Sequence, residues 1–332
     1  MQQIRRKLQT IFDCPSVPDG RTLFSLVEKT IGTLNSAEPT VRPLNKENHP
    51  GGLLRFSSGL PTLIIPDLHG RADFFLSILD YVPPFGKSSE TSVLELLASG
   101  SIRVLCLGDG FHSERRGMIR WMNAWNACLH GDIRNRYMEA EMRENLSLME
   151  MVMECINTFP AVFYFLKGNH ENVLNEEGHG NHPFGKFVSE GMMVKEYMLQ
   201  TYGSELLHLY AQFEYALPLC VIAERFMASH AEPYRFYEEE ELINTESRPD
   251  VIEGLVWTDN GAADETAVPS MLAWYLPQIS DTLWFGGHRV VSGRYALRAE
   301  GRYVQLHDPE SKTVAIVPSD RRFDFEKDIR RV

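Results

Sequence analysis

The sequence predicts an α/β protein built on a parallel sheet, and three observations carry that prediction. Short apolar runs at Leu63-Ile64-Ile65, Ile102 to Leu107 and Ala161 to Leu166 read as buried strands. Helical stretches separate them, the longest running from Arg116 to Thr158. Each run ends in a polar turn: Asp67-Leu68-His69-Gly70, Gly108-Asp109-Gly110 and Gly168-Asn169-His170-Glu171. Strands that alternate with helices form parallel sheets, and ligands bind beyond the carboxyl ends of those strands. A single polar turn is an ordinary helix cap, whereas three at successive strand ends imply a site.

Taken in order, residues 1–60 read as a helical extension packed on the core. The start, Met1 to Lys7, is basic, but Leu8 to Asp13 sustains no apolar segment, so an amphipathic helix is expected rather than a leader. A second helix spans about Thr22 to Leu34, and the Pro, Asn and Gly content of Pro39 to Gly52 reads as a loop. The main domain is expected over 61–317, with a helical insertion at about 116–158. In that insertion Met138, Met142, Leu146, Met149, Met153 and Ile156 recur on one helix face, as core packing rather than as soft metal ligands.

Asn172 to Phe187 reads as a loop whose His179 and His182 face solvent. Helices follow at about Val188 to Gln200 and Glu205 to Tyr215. Leu217 to Ala223 and Arg225 to Ser229 form a hairpin leading to His230-Ala231-Glu232-Pro233, and Thr282 to Phe285 leads to Gly286-Gly287-His288-Arg289. Further strands are expected near Tyr295 to Leu297, Tyr303 to His307 and Thr313 to Val317, then a charged, exposed tail over 318–332.

Composition narrows the possible functions. The 332 residues, 43% hydrophobic, can bury a large core, and no apolar run is long enough to span a membrane. A net charge of -12 disfavours nucleic acid and anionic membrane as partners. The five cysteines are scattered and odd in number, which suits free thiols in a reducing, cytoplasmic setting.

Gathered from the strand ends, Asp67, His69, Asp109, Asn169, His230 and His288 offer more oxygen and imidazole donors than one tetrahedral ion needs. They suit two divalent ions sharing Asp109. Two ions about 3.5–4 Å apart acidify a shared water and clamp the oxygens of a phosphoryl group.

The order Asp-x-His, Gly-Asp, Gly-Asn-His-Glu, His, Gly-His resembles the calcineurin-like metallophosphoesterases, over about Pro61 to Val317. Ala216-Leu217-Pro218-Leu219, Ser229 to Pro233, Val256-Trp257-Thr258-Asp259 and His288-Arg289-Val290-Val291 look most like the phosphoprotein Ser/Thr phosphatase branch. Diesterase branches often carry a second His two residues after the last one; here that position is Val290. The resemblance implies a four-layer α/β/β/α sandwich that hydrolyses phosphomonoesters by direct attack of a metal-bridging hydroxide. It places Asp67, His69 and Asp109 on one ion, and Asp109, Asn169, His230 and His288 on the other. His170 becomes the general acid, and the ions are Mn, Fe or Zn.

Departures concern the substrate. The family commonly reads Gly-Asp-x-x-Asp-Arg at its second motif, with the later Asp supporting the catalytic His and the Arg gripping phosphate. Here the acid-base pair comes later, as Glu114-Arg115. In that reading Glu114 supports His170 and Arg115 binds phosphate, although Arg115 and Arg116 read equally well as a solvated helix start. No Arg lies between Asp259 and His288, where protein phosphatases carry another phosphate-binding one. Arg289 could compensate, or could form a surface salt bridge. A nucleotide hydrolase acting on dinucleoside polyphosphates and a catalytically inactive metal-binding scaffold are the competing readings.

Overall fold

The computed structural model describes residues 1–84 and 91–332. In chain order the first elements are α1 (Gln2–Asp13), α2 (Gly20–Asn35), β1 (Leu53–Arg55), β2 (Thr62–Ile65), α3 (Ala72–Asp80), α4 (Val93–Ala98) and β3 (Arg103–Cys106). Then come α5 (Met118–Leu129), α6 (Arg136–Thr158), β4 (Phe163–Phe165), α7 (Glu190–Tyr215), β5 (Cys220–Ile222) and β6 (Phe226–Ser229). The chain continues through α8 (Glu239–Ile243), α9 (Pro249–Val256), α10 (Ala267–Tyr275), β7 (Leu283–Gly286), β8 (Ala296–Arg298) and β9 (Tyr303–Gln305). It closes with β10 (Thr313–Val317), α11 (Phe325–Asp328) and β11 (Ile329–Arg331).

The strands form two sheets, one ordered β11-β10-β2-β3-β4 and the other β1-β5-β6-β7-β9-β8. The three runs that predicted the fold are β2, β3 and β4, and they pair in parallel as neighbours. In the second sheet β6, β7 and β9 also run in parallel, so their carboxyl ends share one edge. Between the sheets, Ile64, Leu105 and Leu166 pack with Val221, Ala228, Phe285 and Val304. The outer face of the first sheet is covered by α1 to α7, where Val104 and Phe163 meet Phe75, Leu146 and Met153. The outer face of the second is covered by α8 to α10, where Met227 and Trp284 meet Leu242, Leu255 and Met271. Three separate cores make four layers, an α/β/β/α sandwich.

The six predicted apolar positions of α6 are all buried, but so are Leu148, Met151, Val152 and Cys155. This helix is enclosed on more than one face because α1, α2 and α5 also pack on it. The expected single helix over 116–158 is instead two, broken at Gly131 (φ 85°). The two helices expected after Val188 lie within α7, divided where Gly203 (φ 82°, ψ 170°) leaves the helical conformation. Residues 1–60 are not helix and loop alone, since β1 adds a parallel edge strand beside β5. The tail over 318–332 is not simply exposed, because β11 pairs antiparallel with β10. Its alternation was too short, at three residues, to register as a strand. None of the described helices is long and apolar enough to cross a membrane.

Glu150, buried in α6, illustrates the cost of enclosing this helix. Burial, reinforced by neighbouring Glu154, raises its carboxyl from 4.5 to about 7. The folded chain therefore holds a proton that the unfolded chain releases. Stability from this group is complete below about pH 4.5 and is lost as pH rises through 7. Glu150→Gln is accordingly expected to stabilise the protein by roughly 1–3 kcal/mol at pH 8 and to change little at pH 4.5. Urea unfolding at the two pH values checks this; equal stability of the two proteins at pH 8 would contradict it.

Candidate metal centre

The turns after β2, β3, β4, β6, β7 and β9 meet at one edge of the sandwich, and backbone contacts lock them together. His69 N–H donates to the Asp109 carbonyl at 2.7 Å, and Gly70 N–H to that of Gly110 at 2.8 Å. Gly108 and Gly168 lie so close that a Cβ on Gly108 would come within 2.5 Å of the Gly168 nitrogen. Glu171 ties two of the turns, its carboxylate accepting from the backbone N–H groups of Asp109 (2.9 Å), Gly110 (2.7 Å) and Gly168 (2.6 Å). Five non-glycine residues here hold positive φ: His69 (44°), Asp109 (54°), His112 (77°), Glu114 (53°) and His288 (67°). Such conformations cost free energy and persist only where surrounding contacts impose them, commonly at functional sites.

The locked turns aim their donors inward. Asp109 Oδ1 is held by the His170 N–H at 2.9 Å. Its Oδ2 faces His69 Nε2 at 3.5 Å on one side and His230 Nε2 at 3.5 Å on the other. Asn169 Oδ1 sits 3.0 Å from both His230 Nε2 and His288 Nδ1. Asp67 lies 3.9 Å from His69 Nε2, and its carboxylate accepts the His288 N–H at 2.9 Å. Backbone carbonyls orient the rings: Phe111 O engages His69 Nδ1 and Leu107 O engages His230 Nδ1, each at 2.9 Å, leaving Nε2 directed inward. All six residues expected as metal donors thus converge.

Of the other three expected residues, Glu114 lies beside the cluster, its Oε1 3.7 Å from His69 Nε2, but with partners other than the one expected. Glu114 does not contact His170; its left-handed backbone turns the carboxylate to Arg71 (3.2 Å), Lys186 (3.3 Å) and His307 (3.3 Å). Arg289 pairs with Asp259 at 2.9 Å, the surface salt bridge that was its alternative reading. Arg115 is exposed and has no side-chain partner among the described residues. His179 is exposed, while His182 is partly covered between Glu177 and Glu253.

Around His170 stand residues not singled out from the sequence. Its ring packs on Phe184 (4.7 Å between centroids) and on His112 (5.1 Å). His112, three residues after Asp109, stacks on Trp121 and points Nε2 towards buried Glu190 at 3.5 Å. His112 therefore stands where a Gly-Asp-x-x-Asp-Arg pattern would have its second Asp. His307 is the other omission, and the strand-end rule that found His288 would have found it. Each lies two residues past its strand, β7 or β9.

Electrostatics suits cations at this cluster. Burial drives His69 down to about 3, and burial, with a neighbouring imidazole as the next cause, puts His170 and His288 well below the usual range. These rings are neutral, with lone pairs available. Asp109 is pushed well up by burial, by Asp67 and by Glu171, so the ion-free cluster lacks positive charge beside its central carboxylate. Buried His288 Nε2 and His307 Nδ1 have no hydrogen-bond partner among the described residues. A set of neutral imidazoles, carboxylates and an amide oxygen fits divalent ions, and a bound dication would bring the Asp109 carboxyl down while keeping the imidazoles unprotonated.

No family model matches the sequence, and no curated protein matches it. Among solved structures, the chain is similar in fold to a protein serine/threonine phosphatase from Saccharomyces cerevisiae, described as similar to human phosphatase PP5. The TM-score is 0.58 at 12% identity, covering 94% of this chain and 88% of that one. A cold-active protein tyrosine phosphatase of a psychrophile, Shewanella sp., aligns with a TM-score of 0.42 at 12% identity, covering 83% and 85%. The first likeness shows a phosphatase-like α/β fold; the second is too loose to carry more.

Proposed function

We propose that the protein is a phosphatase that hydrolyses phosphomonoesters, phosphoprotein-like or small, with two divalent ions. The observation that carries this reading is the position of Asp109 Oδ2, 3.5 Å from an inward-facing imidazole nitrogen in each of two donor clusters. Asp67, His69 and Asp109 would hold one ion, and Asp109, Asn169, His230 and His288 the other. When bound, the pair supplies Lewis acidity and an acidified water for in-line attack on phosphorus.

The chain's own groups do the rest. Asp109 keeps the two clusters at a set separation because its other oxygen is pinned by the His170 N–H. His170, in the wall of the cluster with Nε2 3.9 Å from Asp109 Oδ2, is positioned to give a proton to the departing alkoxide. His112 and Phe184 hold its ring from behind, in place of a direct carboxylate partner. Lys186 is half exposed at the rim and is the cation best placed to meet a substrate phosphate. Arg115, exposed and next in sequence to Glu114, could join by a side-chain swing; Arg289 would first have to leave Asp259.

With Mn²⁺ added, the purified protein is expected to hydrolyse p-nitrophenyl phosphate faster than bis(p-nitrophenyl) phosphate. The reverse ranking would favour a diesterase, and faster turnover of dinucleoside polyphosphates a nucleotide hydrolase. No turnover of any phosphate ester by the metal-loaded protein would favour the scaffold reading.

A further inference from the structure

His307 is fully buried at the carboxyl end of β9, the strand next to β7. Its two ring nitrogens have different surroundings. Nε2 lies 3.3 Å from both oxygens of Glu114. Nδ1 lies 3.8 Å from Asp67 Oδ2 and has no hydrogen-bond partner among the described residues. Donor atoms of Asp67, His69 and His307 all fall within 4.8 Å of one another. Ligands about 2.0–2.2 Å from one ion stand roughly 3–4 Å apart, and Asp67 Oδ2 meets that spacing, 3.9 Å from His69 Nε2 and 3.8 Å from His307 Nδ1. An imidazole that binds a metal through one nitrogen almost always donates its other N–H to a carboxylate or carbonyl. His69 and His230 already show that arrangement with the Phe111 and Leu107 carbonyls.

We propose that His307 completes the first metal site, binding through Nδ1 beside Asp67 and His69 while its Nε2–H donates to Glu114. The proposal rests on the two-ion reading and extends it with a ligand from a strand outside the Asp, Asn and His turns that suggested the site. It also gives Glu114 a role that its position supports. Held by Arg71 and Lys186, the carboxylate fixes the imidazole's tautomer and ring orientation. Val290, where a second histidine of a Gly-His-x-His pattern would stand, is exposed; the imidazole arrives from β9 instead. A neutral His307 that donates Nε2–H to Glu114 turns an Nδ1 lone pair towards the Asp67 carboxylate, which is unfavourable unless a cation lies between them.

The test is titration of the chelator-stripped full chain with Co²⁺, following stoichiometry and the visible absorption of the bound ion. Wild-type protein is expected to bind two Co²⁺. His307→Ala should retain the ion of the Asn169, His230 and His288 cluster and bind the other at least about 10-fold more weakly, and Glu114→Gln should weaken the same ion by about 10- to 100-fold. His307→Cys should bind two ions and add a sulfur-to-cobalt charge-transfer band, which a structural residue would not produce. This variant also decides the matter if His307→Ala does not fold. Two ions bound with unchanged affinity by His307→Ala, or a folded, cobalt-loaded His307→Cys without that band, would overturn the proposal alone. A wild-type chain that binds fewer than two ions would overturn the two-ion reading and the proposal with it.

Discussion

Replacing His170 with alanine is expected to lower kcat for an alkyl phosphate by about 10²- to 10⁴-fold, the usual contribution of a positioned general acid. The same change should cost much less with p-nitrophenyl phosphate, whose leaving group departs without a proton. This contrast separates proton donation from general damage to the site. In the ion-free chain, burial and then His112 hold the His170 imidazole neutral. A dianionic phosphate entering beside it would favour the protonated form, so the acid would be charged by the substrate it serves. Equal losses for the two esters would show that His170 acts only through packing against Phe184 and His112.

Asp109→Asn should have a second large effect, with opposite signs on activity and stability. Asp109 is buried beside Asp67 and Glu171, and its carboxyl is pushed well up. Without metal this is an unfavourable place for a charge, and an amide of the same shape removes it. The variant in chelator is therefore expected to unfold at a higher temperature than wild type in chelator. With Mn²⁺ the order should reverse, because ions that bind only the folded state stabilise it and the variant has lost its shared ligand. Activity should fall by roughly 10²- to 10³-fold or more, as when a principal electrostatic contact is removed. Differential scanning calorimetry with and without metal tests the crossing; a variant less stable in both conditions would mean that Asp109 is structural.

What the sequence disclosed depended on how local the signal was. β2, β3 and β4 were legible because each is a compact apolar run closed by Pro, Gly or Asp, and their turns carry Asp67, His69, Asp109 and Asn169 in the next few residues. The edge strands β1 and β11 were not, since three residues give no alternation to read and only pairing across the fold stabilises them. Glu114 was singled out for its chemistry but given the wrong neighbour. Its φ of 53° reverses the loop, and nothing in Ser113-Glu114-Arg115 announces a left-handed glutamate. His112 and Glu190 are far apart in sequence and become partners only when α7 packs beside the loop. His307 had the same signal as His288 but lacked a glycine turn before it, so it read as the end of a strand.

Whether the Asp109 carboxylate joins two metal sites is decided by electron paramagnetic resonance of the chelator-stripped chain titrated with Mn²⁺. The structure predicts that the signal of isolated Mn²⁺ gives way, as the second equivalent binds, to that of a magnetically coupled pair, and that Asp109→Asn abolishes the coupling. Saturation with only an isolated Mn²⁺ signal, or with no bound Mn²⁺, would contradict it.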